Sequence, residues 1–114
     1  MRARTATALI AIAAALVLLP ASPARADRID GNWCFSDGRH MSIDGPSIVT
    51  PGGTRMQGRY NRHGFEYTVP AGEADAGADV AMVQFDEYTV QVVTTPTGGA
   101  AARSETWKRC DLTT

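Results

Sequence analysis

The side chains in this 114-residue chain that could do chemistry are few, and they fall into three groups. His40, His63 and Glu66 are the first, because imidazole and carboxylate can move protons or ligate a metal ion. Their spacing matches no ligand motif, and no Ser-His-Asp, paired-carboxylate or nucleophile-elbow pattern surrounds them. They read as solvated surface residues of a non-catalytic chain; an enzyme or metal-binding protein using His40, His63 and Glu66 is the alternative. Glu73, Asp75 and Asp79 form the second group, in an Ala/Gly-rich stretch after Pro70. They lack the alternating aspartates and distal glutamate of a calcium loop, so a solubilising loop is expected. Neither Thr50-Pro51-Gly52-Gly53 nor Thr95 to Ala100 resembles a phosphate-binding loop, and no cofactor is expected. The third group is a candidate contact surface: the basic cluster Arg55, Arg59, Arg62 and His63, with Val80, Met82 and Val93 on what reads as an outer face.

Cys34 and Cys110 are the only cysteines, and the start of the chain indicates what they do. Met1 to Ala26 reads as a secretory leader: Arg2 and Arg4, an apolar run from Ala8 to Leu19, then Ala24-Arg25-Ala26 as the cleavage site. The run is too short for the ~20 residues of a membrane-spanning helix, so no anchor is expected after cleavage, and the mature chain belongs in the periplasm or outside the cell. There the two cysteines should form one disulfide. Such a bond is worth on the order of 4 kcal/mol in the chain-entropy model, a large share of the stability of a small domain. Residues 27–114 are expected to form a single β domain. Without Arg2, Arg4 and Arg25 that segment has 8 basic against 12 acidic residues, a net charge of −4. A general nucleic-acid binder would need the opposite balance.

The elements that must position these residues are short alternating runs broken by Gly, Pro, Asp and Asn. Strands are predicted at Gly31 to Phe35, Arg39 to Ile43, Arg55 to Tyr60, Phe65 to Val69, Val80 to Phe85, Tyr88 to Val93 and Glu105 to Cys110, with a short apolar segment at Ile48-Val49. The fold class is all-β: a small antiparallel meander closing into a barrel, or a barrel-like sandwich, of about seven or eight strands. A three-residue Ser36-Asp37-Gly38 loop sets Cys34 against His40 and Trp33 against Met41. Asn61 to Gly64 as a loop sets Tyr60 against Phe65, Arg59 against Glu66 and Gly58 against Tyr67. Asp86-Glu87 as a tight turn sets Phe85 against Tyr88 and Val83 against Val90.

Strand parity then orients the side chains. Cys34 is one residue from Trp33 and Cys110 three from Trp107, so both cysteines point away from the face the tryptophans occupy. The disulfide should clasp the outer side of a seam between the first and last strands. The expected inward set is Trp33, Phe35, Met41, Ile43, Met56, Tyr60, Phe65, Tyr67, Val69, Val83, Phe85, Tyr88, Val90, Val92 and Trp107, bulky enough to fill a small interior.

Gly31-Asn32-Trp33 on the first strand and Arg109 on the last resemble the calycin pattern, that of lipocalins and of small bacterial metalloprotease inhibitors. The resemblance implies a β-barrel in which the Gly-x-Trp tryptophan packs inside near a closed end with the late arginine across it; an ordinary surface arginine is the other reading of Arg109. The chain as a whole is expected to be a small exported module of the cell envelope. It would bind or inhibit an envelope or extracellular protein through its outer face or through loops at Thr50 to Thr54, Asn61 to Gly64 and Thr95 to Arg103. A purely structural envelope protein is the further alternative.

Overall fold

The structure, a computed structural model, describes residues 28–110; the expected leader, residues 1–26, lies outside the described residues. Among the described residues nine strands follow one another: β1 (Gly31–Cys34), β2 (His40–Asp44), β3 (Ser47–Val49), β4 (Arg55–Gln57), β5 (Arg59–Asn61), β6 (Gly64–Thr68), β7 (Asp79–Asp86), β8 (Thr89–Thr95) and β9 (Arg103–Arg109). They form one antiparallel sheet in the order β4-β3-β2-β1-β9-β8-β7-β6-β5, and the only helical element among the described residues is a 3₁₀ turn at Thr97–Gly99. The fold is the expected all-β antiparallel barrel, nearly closed. Its strand count exceeds the expected seven or eight for two reasons. The Ile48-Val49 segment completes β3, and the predicted Arg55 to Tyr60 strand is broken at Gly58 into β4 and β5.

That break brings the ends of the sheet together. β4 pairs with β3, and β5, one residue later, pairs with β6, so a single run of chain bridges from one side of the meander to the other. At the corner the Gly58 N–H donates to the Pro46 carbonyl at 2.8 Å. A Cβ here would collide with the Phe65 ring and the Glu66 carbonyl. Gly58 therefore makes room for Phe65, not for Tyr67 as the extended register predicted, because pairing with β6 stops at Arg59↔Glu66.

The other seam joins β1 to β9 through Trp33↔Arg109 and Cys34↔Lys108. Cys34 and Cys110 form the disulfide beside it, with a Cα–Cα distance of 5.0 Å. Both cysteines are half-buried while Trp33 and Trp107 are buried, so the bond lies outside the tryptophans as parity required. The predicted pairs Trp33↔Met41, Cys34↔His40, Tyr60↔Phe65 and Arg59↔Glu66 all form.

The β7–β8 hairpin departs from its predicted register. Its turn is Glu87-Tyr88 rather than Asp86-Glu87: the Asp86 carboxylate accepts the Tyr88 N–H at 2.9 Å and Asp86 pairs with Thr89. An aspartate that folds back on the backbone two residues on defines its own turn, and this moves the hairpin along by one residue. A bulge between Gln84 and Asp86 absorbs the extra residue and gives Gln84↔Val90 and Met82↔Val92. One residue of slip exchanges the two faces of a strand. Val80 and Met82, expected on the outer face, are core residues, and Val83, Phe85 and Tyr88, expected inside, are 54%, 63% and 49% exposed. Of the expected inward set, Trp33, Met41, Ile43, Phe65, Tyr67, Val69, Val90, Val92 and Trp107 are buried, and Phe35, Met56 and Tyr60 pack against them.

Candidate functional site

The meander alternates its connections between the two ends of the barrel. Residues 28–30 and the turns at Gly45-Pro46, Arg62-His63 and Glu87-Tyr88 lie at one end; the β1–β2, β3–β4, β6–β7 and β8–β9 connections lie at the other.

The first end is plugged. Trp33 is fully buried and its indole N–H donates to the Ile29 carbonyl at 2.8 Å, which pins the incoming chain across the opening. Arg109, directly opposite Trp33 in the ladder, lays its guanidinium 4.3 Å from the ring centre. From there it donates to the carbonyls of Asp30 (2.8 Å), Arg28 (2.6 Å) and Glu87 (2.5 Å). A charged planar donor over an aromatic face, with its N–H groups on backbone carbonyls, ties three segments together. Gly31 has φ 127°, and a side chain on it would strike this guanidinium. The inward reading of Arg109 is therefore the observed one. Beneath it the buried Asp30 carboxylate accepts the Gly45 N–H at 2.7 Å and the Tyr60 hydroxyl.

The second end is open. A cavity of about 340 Å³ enters the barrel here, floored by Met41, Tyr67, Val69, Val80, Val92 and Trp107. The bulky inward set therefore does not fill the barrel at this end, where the strands give way to the long β3–β4, β6–β7 and β8–β9 connections. Charged groups ring the mouth. Arg39 donates to Glu105 at 2.7 Å and to Asp37 at 2.8 Å, and Arg103 donates to Asp75 at 2.7 Å. Glu105 also accepts the Trp107 indole N–H at 3.2 Å, and the Arg39 guanidinium stands 5.2 Å from the Trp107 ring centre. Burial works to raise the Glu105 pKa, but the bonds from Arg39 and Trp107 outweigh it and hold the carboxyl below its ordinary value.

Glu73 reaches the mouth from the β6–β7 connection. Its Oε2 accepts the hydroxyls of Thr50 (2.6 Å) and Thr54 (2.5 Å), and it packs where a Cβ at Gly52 would collide with it. Burial opposes its ionised form, yet these hydroxyls and the N–H groups of Gly52 and Thr54 keep its pKa below the ordinary value. The Tyr67 phenol below is pushed up to about 12, chiefly by burial and further by the Glu73 charge. This end can hold a small molecule whose body sits on an apolar floor and whose polar group faces fixed charges.

The residues singled out in the sequence are dispersed. His40 is exposed on β2 opposite Cys34, towards the open end, while His63 is exposed in a turn at the plugged end. Glu66 is on the outer face, paired with Arg59 at 2.8 Å. His40 is therefore remote from the other two. His63 and Glu66 border one outer groove together with Arg59 and Val83. Arg55 is the first residue of β4, at its open-end start; Arg62 is at the plugged end, and Val93 is half-buried on the outer face of β8. Of the three proposed contact loops, Thr50 to Thr54 and Thr95 to Arg103 share the open end, and Asn61 to Gly64 lies at the opposite one. The sequence reading missed Arg39, Glu73, Arg103 and Glu105 as a group, because they come from three segments that only closure assembles. The alternation of Glu105 with Trp107 on one strand was the available signal: parity aims both inward. Comparison of the chain with protein-family models, with curated proteins and with solved structures finds no match.

Proposed function

We propose that the protein is an exported, non-catalytic binding module that holds a small ligand in the open end of its barrel. The observation that carries this reading is the asymmetry of the interior: one end is plugged by Trp33 and Arg109, and the other keeps a cavity of about 340 Å³ with an apolar floor and a charged rim. Sites for small molecules have this composition, an apolar body with a few fixed polar groups, in volumes of roughly 300 to 1,000 Å³. The guanidinium of Arg109 over Trp33 supports the likeness to calycin barrels. The test is to isolate the protein from its native compartment, extract it with organic solvent, and look by mass spectrometry for a small molecule at near one equivalent. Val92→Phe, which adds volume to the floor, should remove that molecule while the protein stays folded. An empty wild-type protein, together with Trp107 fluorescence that no member of a small-molecule panel perturbs, would sink the reading.

A second reading, binding of an envelope or extracellular protein, is favoured by the β7–β8 hairpin, where Val83, Phe85 and Tyr88 are exposed together. Bulges that re-aim side chains occur next to functional sites, and exposed aromatics anchor protein interfaces. A photo-crosslinking residue in place of Glu87 should capture one protein saturably, and Phe85→Ser with Tyr88→Ser should abolish the capture. Scattered, non-saturable products would count against it.

A further inference from the structure

We infer that the open-end cavity selects a small, largely apolar molecule with one positive charge, an organic ammonium; the inference rests on the reading of that cavity as a binding site. The charges that border it are Arg39 and Arg103 against Glu73, Asp75 and Glu105, a net of minus one. Both guanidiniums are already engaged, Arg39 by Glu105 and Asp37, and Arg103 by Asp75 at 2.7 Å with Glu105 at 3.6 Å. Glu73 stands apart. None of the ion pairs among the described residues includes it, and its hydrogen-bond partners are the Thr50 and Thr54 hydroxyls. These partners keep it ionised without cancelling its charge.

An anionic ligand would therefore meet an uncompensated carboxylate beside guanidiniums whose charge Asp37, Asp75 and Glu105 already offset. A cation meets Glu73 directly and leaves both arginine pairs intact. The floor favours the same class: the Tyr67 ring lines it, and aromatic faces attract cations, while the Trp107 ring beside it already carries the Arg39 guanidinium. Tyr67 stays neutral at ordinary pH and adds no competing charge. The volume is near the lower end for small-molecule sites, which suits a single ring with a short arm.

The experiment is calorimetric titration of the mature protein with three probes of one shape: 2-phenylethylammonium, 2-phenylethanol and 3-phenylpropionate. The ammonium should bind about tenfold tighter than the alcohol, and the carboxylate more weakly than either. Glu73→Gln should bring the ammonium and alcohol to within about threefold of each other while leaving the alcohol's affinity in place. Arg103→Gln, at a partly exposed rim position, should widen the preference for the ammonium. Val92→Phe should reduce binding of all three, and Phe85→Ser with Tyr88→Ser should leave it unchanged. Tightest binding of the carboxylate, or an ammonium preference that survives Glu73→Gln, would overturn the inference and leave the cavity reading standing. No binding by any of the three, or loss only in the hairpin variant, would overturn both.

Discussion

The two ends of this barrel are built from the same kinds of residue and put them to opposite uses. At the plugged end, Arg109 spends its donors on three backbone carbonyls of two segments and covers Trp33, so charge serves closure. At the open end, Arg39 and Arg103 pair with carboxylates from other segments around a hollow, and Glu73 keeps its charge uncancelled. The difference lies in what the charge faces. A guanidinium aimed at backbone carbonyls locks chain to chain, whereas side-chain ion pairs around an opening hold a rim in place and leave the space inside it for something else.

If the plugged end carries the stability, damage there should cost most. Replacing Cys34 and Cys110 with alanine should lower stability by about 4 kcal/mol in denaturant titration, with amide protection lost first along the β1–β9 seam, where the ladder is only two residue pairs long. Equal loss of protection at both ends would break the comparison. Arg109→Ala should cost about 2 to 3 kcal/mol, since it strips three carbonyls of a charged donor and uncovers Trp33, and a red shift of Trp33 emission should accompany it.

Acid should act at both ends, since burial works to raise the Asp30 pKa at the plugged end but the Tyr60 and Gly45 hydrogen bonds hold it below its ordinary value, and the open end adds its own share. Glu105 and Glu73 have folded-state pKa values below their ordinary 4.5, so their contribution to stability is complete above that pH and is lost as pH falls through the lower folded values. Melting temperature should drop by a few degrees between pH 5 and about pH 3, and Glu105→Gln should flatten that fall. The smallest effect belongs to the hairpin: Phe85→Ser with Tyr88→Ser should change stability by less than about 0.5 kcal/mol, because both rings are already in water. A larger loss would mean that they support the plugged end.

Much of the wall was legible in the sequence. Alternation gave the strands, the Ser36-Asp37-Gly38 and Asn61 to Gly64 loops gave two correct registers, and tryptophan and cysteine parity placed the disulfide outside the barrel. The β7–β8 hairpin was misread because two-residue periodicity cannot register a bulge: the same apolar residues suit either face, and the Asp86 side chain chose the turn. The candidate site was legible only in pieces. Glu73 and Asp75 were visible as carboxylates in a loop, but their partners Thr50, Thr54 and Arg103 are remote in sequence, and a chain read locally cannot pair them.

By itself, then, the sequence determined an all-β chain, an antiparallel meander and a cysteine pair suited to bridging its first and last strands, because alternation, turn chemistry and cysteine parity are local properties. Tertiary structure decided which end is plugged, which faces Val80, Val83 and Phe85 occupy, and which charges surround the cavity. Those outcomes depend on register and closure, where one residue of slip or a corner at a single glycine reassigns the neighbours of every side chain beyond it.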